Sequence, residues 1–314
     1  ATDGRGRLRI AHTVAPPWTE VTGTLYDGFI ATVPFDTCRI AIEAAGDSLR
    51  FDACRLRHRD LTAELSGAVD AERVFRGRIA GTASDLATLP GAWGWPEMAG
   101  HVSGAGELVG PVDDLDFTGW LSASDFALAT VAARSADIAL VIDDVLGEPV
   151  FTAGIDGGGL AVGEVPLGDY LLWGAASSRR ARIDSFRTSL GDTAVAVACR
   201  AAFSDSVSRF VVDSLRVDLE GTAWRIDRPV RFAVGEGFFH LPAVRLASDQ
   251  GVLAADALYE ADSVVAGRLE LRRFDLGLLD PFVRGEKPLS GRLSADVLVG
   301  GEPRAPVVNL VGDM

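Results

Sequence analysis

The stretch FDACRL, Phe51–Leu56, has four relatives along the chain: FDTCRI at Phe35–Ile40, IDSFRT at Ile183–Thr188, VDSLRV at Val212–Val217 and LPAVRL at Leu241–Leu246. Each is a bulky apolar residue, a two-residue polar or small break, then hydrophobe–Arg–residue. Successive side chains of a strand point to opposite faces. Cys54 and Leu56 therefore share one face, and Arg55 takes the other. Phe51 falls on the face of Arg55 if the strand runs straight through. A bend or bulge at Asp52–Ala53 corrects this, and Asp and small residues suit such corners. LPAVRL agrees, because Pro242 stands where the others carry Asp, and proline does not sit inside a central strand. The hexamer is read as a corner within a strand. Its arginines, Arg39, Arg55, Arg187, Arg216 and Arg245, then point outward, and any ion pairs they make contribute little each.

The flanking sequence keeps the strand period almost everywhere. In VAGRLEL, Val265, Gly267, Leu269 and Leu271 share a face against Arg268 and Glu270. In GRLSADVLVG, Leu293, Ala295, Val297 and Val299 oppose Arg292, Ser294 and Asp296. SLRVDLEG and DTAVAVACRAAF alternate in the same way, through Leu215, Val217 and Leu219 and through Val195, Val197 and Cys199. One-sided strands of this kind belong to antiparallel sheets with one wet face. Turn signals recur at short intervals: AAGD at 44–47, DGGG at 156–159, VGEG at 234–237, SDQG at 248–251 and VGGEP at 299–303. At about 12 residues per strand and turn, about 26 strands are expected, in an all-β architecture rather than βαβ units. Lys287, Asn309 and Gln250 are the sole residues of their types, so good surface helix formers are scarce. A short helical turn is expected only at SDLATL (Ser84–Leu89) and FDLGLLDPFV (Phe274–Val283), each with an Asp near its front and a Pro after it.

The pattern also repeats at longer range. CRL at 54–56 matches VRL at 244–246, GRI at 77–79 matches GRL at 267–269, and DLATL at 85–89 matches DLGLL at 275–279, always offset by 190. Such ordered self-similarity marks a repeat architecture. We read residues 1–314 as one continuous repetitive segment of a longer protein. Its related sub-repeats lie at about 35–126 and 225–314, with linking strands at 127–224. Three of the corners also fall 29 apart (183, 212, 241), which suggests a local two-strand period.

The charge of −14 and the pI near 4.7 argue against a nucleic-acid partner, whose binding needs a basic stripe. They argue equally against broad adhesion to an anionic membrane. No apolar run is long enough to cross a bilayer as a helix. Cys38, Cys54 and Cys199 lack metal-ligand spacing and are read as small buried hydrophobes. Cys38 and Cys54 fill the same slot in two copies of the corner, so adjacent strands would bring them within reach of a disulfide. His12, His58, His101 and His240 share no spacing, and no nucleophile, zinc or nucleotide motif occurs. DGGGLAVG reads as a hairpin turn, Asp113, Asp114 and Asp116 as an acidic turn, and Trp93 and Trp95 as a plug at a sheet end. The expectation is no catalytic residue, no metal site and no cofactor.

What remains is the apolar face of many strands. A compact sandwich would bury it against a second sheet, whereas a repeat array curls into a solenoid or an open trough. A long trough, apolar inside and charged outside, suits hydrocarbon chains.

Two segments carry a resemblance. DLATLPGAWGWPEMAGHVSGAGELVGPVDDLDFTGWLSASDF (85–126) and FDLGLLDPFVRGEKPLSGRLSADVLVGGEPRAPVVNLVGDM (274–314) each run from an Asp-Leu turn through a Pro to a Gly-bounded strand. A Pro-containing hairpin and another strand follow. This order, together with the corners, resembles the repeats of TamB and other AsmA-like proteins. The resemblance implies an elongated U-shaped β-groove whose concave face carries phospholipid acyl chains across the periplasm of a diderm bacterium. It also implies an inner-membrane anchor outside this chain, an outer-membrane barrel-assembly-type partner, and links to outer-membrane protein assembly and autotransporter secretion. Carried onto this sequence, the groove lining comprises Cys38, Ile40, Cys54, Leu56, Ile79, Val102 and Leu108, then Val195, Val197, Leu215, Val217 and Leu219. It continues through Val244, Leu246, Leu269, Leu271, Leu293, Val297 and Val299. A protein-translocation scaffold or a dry β-solenoid stands as the alternative.

Overall fold

Alternating, β-rich sequence punctuated by short turns folds as strands that pair with their sequence neighbours. The structure is a computed structural model that describes residues 5–14, 17–30, 33–88, 97–219, 221–261, 263–276, 291–303 and 305–313. These residues form 21 strands, fewer than the sequence spacing suggests because many strands run to 13 or 14 residues. The chain divides into two compact units, 1–170 and 171–314.

The first unit holds β1 (Arg5–Val14), β2 (Pro17–Ile30), β3 (Val33–Ala45), β4 (Ser48–His58) and β5 (Leu61–Val69). It continues with β6 (Val74–Ala83), β7 (Met98–Pro111), β8 (Asp116–Leu128), β9 (Val131–Asp143) and β10 (Val150–Val162). Each strand pairs antiparallel with the next. A 3-10 turn at Leu86–Thr88 lies where SDLATL predicts one, with Asp85 accepting the N–H of Ala87 at 2.9 Å.

The unit boundary falls within β11 (Val165–Ala176). The second unit continues with β12 (Arg180–Leu190), β13 (Thr193–Ala202), β14 (Val207–Leu219), β15 (Thr222–Ile226) and β16 (Val230–Gly235). After these come β17 (Phe238–Ala247), β18 (Val252–Glu260), β19 (Val264–Asp275), β20 (Arg292–Glu302) and β21 (Ala305–Asp313). β15 and β16 act as one interrupted strand. Both pair with β14 on one side and with β17 on the other. The remaining pairs are again sequential and antiparallel.

The corners are register shifts. They fall between Phe51 and Cys54, between Ile183 and Phe186, and between Leu241 and Val244. On β14, Val212 and Ser214 pair with consecutive residues of β13, so Asp213 is the extra residue. FDTCRI differs. Phe35 and Cys38 are both buried although three residues apart, yet β3 keeps register with β2, because Asp27 opposite departs with it at φ 52°. A further corner at Leu271–Phe274 has Arg273 at φ 50° and lies 30 residues after Leu241, which extends the two-strand period. Its break is Arg-Arg, so the Asp or Pro signature misses it.

The DGGG expectation is corrected. Residues 156–159 lie inside β10, not between strands. Gly159 takes φ 68°, and the side chain of Arg134 fills the place where a Cβ would stand, so glycine permits a kink within a continuing strand. Phe274 and Asp275 end β19, Leu276 follows in 3-10 conformation, and the rest of FDLGLLDPFV lies outside the described residues. Trp93 and Trp95 also lie outside them.

Among the described residues, neither unit carries a second layer over its sheet. No described side chain is completely buried.

Asp36, in the first corner, ties the strand ends together. It accepts the backbone N–H of Arg59 at 2.6 Å and lies 3.2 Å from Nδ1 of the buried His58. The Arg59 bond chiefly holds its carboxyl below the ordinary 3.8, with a smaller contribution from His58. A depressed carboxyl contributes stability above its unfolded pKa and loses it as pH falls through the folded value. Asp36→Asn is therefore expected to cost about 0.5–1 kcal/mol at neutral pH, given the half-exposed carboxylate. The difference should shrink as pH falls below the ordinary carboxylate range and through the lowered folded value. Urea unfolding of both proteins at neutral and at acidic pH measures it.

Candidate functional site

The apolar face is assembled by register, since directly paired residues lie on the same side of a sheet. In the first unit Leu25, Cys38 and Leu56 form one row, and Ala63, opposite Leu56, continues it. Cys54 opposes Leu65, and Leu65 opposes Ile79. Gly106 sits opposite Ile79, so Val102 and Leu108, at even spacing from it on β7, share that face, and Ile40 shares the face of Cys38. Glycines here make room for neighbours. The Phe117 ring occupies the Cβ place of Gly106, and Phe75 does the same at Gly77.

In the second unit Val195 opposes Val217, and Val197 opposes Leu215. Val217 in turn opposes Trp224, and Leu219 opposes Thr222. A continuous row runs Val244–Ala255–Leu269–Val297–Leu310, with Leu246–Leu253–Leu271–Ala295 beside it. Val299 faces Gly267, and Leu293 faces Phe274. All nineteen positions named from the sequence are buried or half-buried, while the five corner arginines are exposed. Three of those arginines pair with carboxylates: Arg55 with Glu64 at 2.8 Å, Arg216 with Asp218 at 2.8 Å and Arg245 with Asp227 at 3.1 Å.

Sequence reasoning did not single out the two aromatics that shape the second unit. Trp224 on β15 and Phe274 on β19 have ring centroids 5.5 Å apart. Three strand steps separate them through β17 and β18, about 14 Å across a flat sheet. Closing that distance curls the sheet toward its apolar face at this end. Val217, Leu219, Leu246, Leu253 and Leu271 pack against the pair. Four of the expected lining residues, Val217, Leu219, Leu246 and Leu271, are thus engaged in a packed cluster. Val244, Leu269, Val297 and Val299 lie beyond it. The signal for Phe274 was its three-residue offset from Leu271, and for Trp224 its place opposite Val217.

The titratable groups do not converge. Cys38, Cys54 and Cys199 are free thiols. Burial, followed by the neighbouring Cys54, pushes the Cys38 thiol up. Burial and then Asp213 do the same for Cys199. Raised thiols are poor nucleophiles at neutral pH. Cys38 faces Leu56 and Cys54 faces Leu65, so the two cysteines are diagonal, not opposed, on adjacent strands. Asp116 accepts the N–H of Asp144 at 3.1 Å, which makes the acidic residues parts of turns. Among the described residues no group of three or more His, Cys, Asp or Glu is placed to hold a metal. No described helix is long and apolar enough to cross a membrane. Comparison with protein-family models, curated proteins and solved structures found no match.

Trp224 is 3% exposed, and among the described residues its Nε1–H has no acceptor. A buried unpaired donor costs about 1–3 kcal/mol. Trp224→Phe keeps a ring against Phe274 and removes the orphan, so it should shift stability by less than about 1 kcal/mol. Trp224→Ala should cost about 3–5 kcal/mol. Denaturant midpoints of the two variants separate packing from polarity.

Proposed function

We propose that the chain carries phospholipid acyl chains on its apolar face, as a non-enzymatic segment of a conduit between the inner and outer membranes. The observation that supports this most is the in-register row from Val244 to Leu310, apolar across five strands and, among the described residues, without a covering layer. Acyl chains are the chemistry that such a surface lacks. Burying a methylene is worth about 0.8 kcal/mol. A tail moving one strand along the row exchanges like contact for like, so each step has a small net free energy. Head groups would remain in water. The outward arginines and carboxylates keep the opposite face wet. Placement in the periplasm, in a protein anchored in the inner membrane and acting with an outer-membrane barrel-assembly-type partner, rests on the TamB and AsmA-like resemblance.

Leu269→Glu and Val297→Glu place charges on paired positions of the apolar row, and Leu298→Glu places one on the other face of β20 as control. The first two should abolish phospholipid recovered by solvent extraction and mass spectrometry of the purified protein, with melting of each variant followed in parallel. Unchanged lipid in folded Leu269→Glu, or bound peptide in place of lipid, would sink the conduit reading.

A further inference from the structure

The opposite face of the first unit carries a trough of about 750 Å³. Two rows of directly paired residues line it. One holds Thr37, Arg57, Thr62, Thr82 and Ser103, with Tyr26 at its β2 end. The other passes from Arg39 and Arg55 through Glu64, Ala80 and Ala105 to Trp120 on β8. The trough crosses seven successive strands, about 29 Å at about 4.8 Å per step.

Its charge runs against the rest of the chain. On a protein of net charge −14, Arg39 sits directly opposite Arg55, with Arg57 two residues along the same strand and the exposed Arg7 one strand beyond Arg39, across Thr24. Like charges directly opposed on a sheet destabilise it. Glu64 pairs with Arg55 at 2.8 Å, and among the described residues no carboxylate pairs with Arg39 or Arg57. Beside the guanidinium groups runs a row of hydroxyls, of which those of Thr62 and Thr82 are 2.7 Å apart. At the far end the Trp120 side chain, 54% exposed, offers an open aromatic face.

We infer that this trough binds an acidic oligosaccharide lying across the strands. Uronate carboxylates sit on Arg39 and Arg57, hydroxyls on the Thr and Ser row, and a sugar ring stacks on Trp120. Guanidinium pairs with carboxylate through strong charge-assisted bonds. Sugar hydroxyls match a row of groups that both donate and accept. The aromatic face takes the apolar side of a pyranose. A peptide fits less well, because every strand from β2 to β8 is paired on both edges and offers no free backbone for strand addition. An acyl chain fits less well too, since it would leave the guanidinium groups of Arg39 and Arg57 without a counter-charge. Leu56 and Ala63 also border the trough, but the side chains proposed to bind, Arg39, Arg57 and Trp120, alternate onto the face opposite the proposed lipid surface, so the site stands or falls independently of it.

The test titrates the intact chain with hexagalacturonate, with maltohexaose as the neutral control, and follows heat and tryptophan fluorescence. Binding should weaken with salt, and maltohexaose should bind at least about tenfold more weakly. Arg39→Gln with Arg57→Gln should lower hexagalacturonate affinity by about a hundredfold, each lost charged bond being worth about tenfold. Trp120→Ala should weaken it several-fold and abolish the fluorescence change. Glu64→Gln, which frees Arg55, should tighten binding, an opposite sign that misfolding cannot produce. Arg245→Gln in the other unit should change nothing. Absence of hexagalacturonate binding overturns the proposal. So does equal binding of the neutral sugar, weaker binding in Glu64→Gln, or arginine-dependent binding only to an acidic peptide or to phosphatidylglycerol vesicles.

Discussion

A strand has a side-chain period of two, so one unpaired residue moves every later side chain to the other face. In this protein that constraint governs everything else, because a single sheet layer has no second layer to absorb an error. The corners meet it by placing one extra residue between two inward hydrophobes, as at Phe51 and Cys54 or Leu241 and Val244. The bulge restores the face and bends the strand at the same point. In the second unit Ile183, Cys199, Val212 and Val230 are successive register partners, so the corner of β12 and that of β14 adjoin one row.

Curvature then decides what the apolar side can be. A flat layer would leave its hydrophobes standing apart in water. Curling brings Trp224 and Phe274 together across three strand steps and gives the second unit a small packed cluster. In the first unit, rings from neighbouring strands lie over glycines, as Phe117 does at Gly106 and Phe75 at Gly67. These are local solutions. Each covers part of the apolar face and leaves the row through Leu269 and Val297 half-buried.

The strands, their faces and four of the five corner shifts were legible in the sequence because each depends on neighbours a few residues apart. The alternation of Leu269 and Leu271 against Arg268 needs no tertiary information. The corner of FDTCRI was harder, since its irregularity is shared with Asp27 on another strand. The kink at Gly159 was read as a turn because glycine runs serve both purposes, and only the pairing of β10 with β9 distinguishes them. The approach of Trp224 to Phe274 depends on curvature summed over several strands, which no local pattern records. The polar trough was missed for a related reason. Arg39 and Arg55 each looked like a solvated corner residue. Their meeting face to face is a fact of register between strands.

A chain with so thin a core still folds because its contacts are nearest-neighbour. Each strand closes on the one before it, so the loops that must be ordered are short and their closure entropy is low. Stability then builds as a sum of strand-to-strand interfaces, as in other repeat arrays, and no central core has to form before the rest gains. Hydrogen-bonded ladders and cross-strand pairs supply that sum on both faces at once. The polar face can carry ion pairs such as Arg55 with Glu64, and the apolar face can remain uncovered, without either being needed to close a core. A compact sandwich has no such freedom, because its stability is the contact between layers. Dispensing with the second layer is what leaves two chemically different faces of one sheet open to ligands.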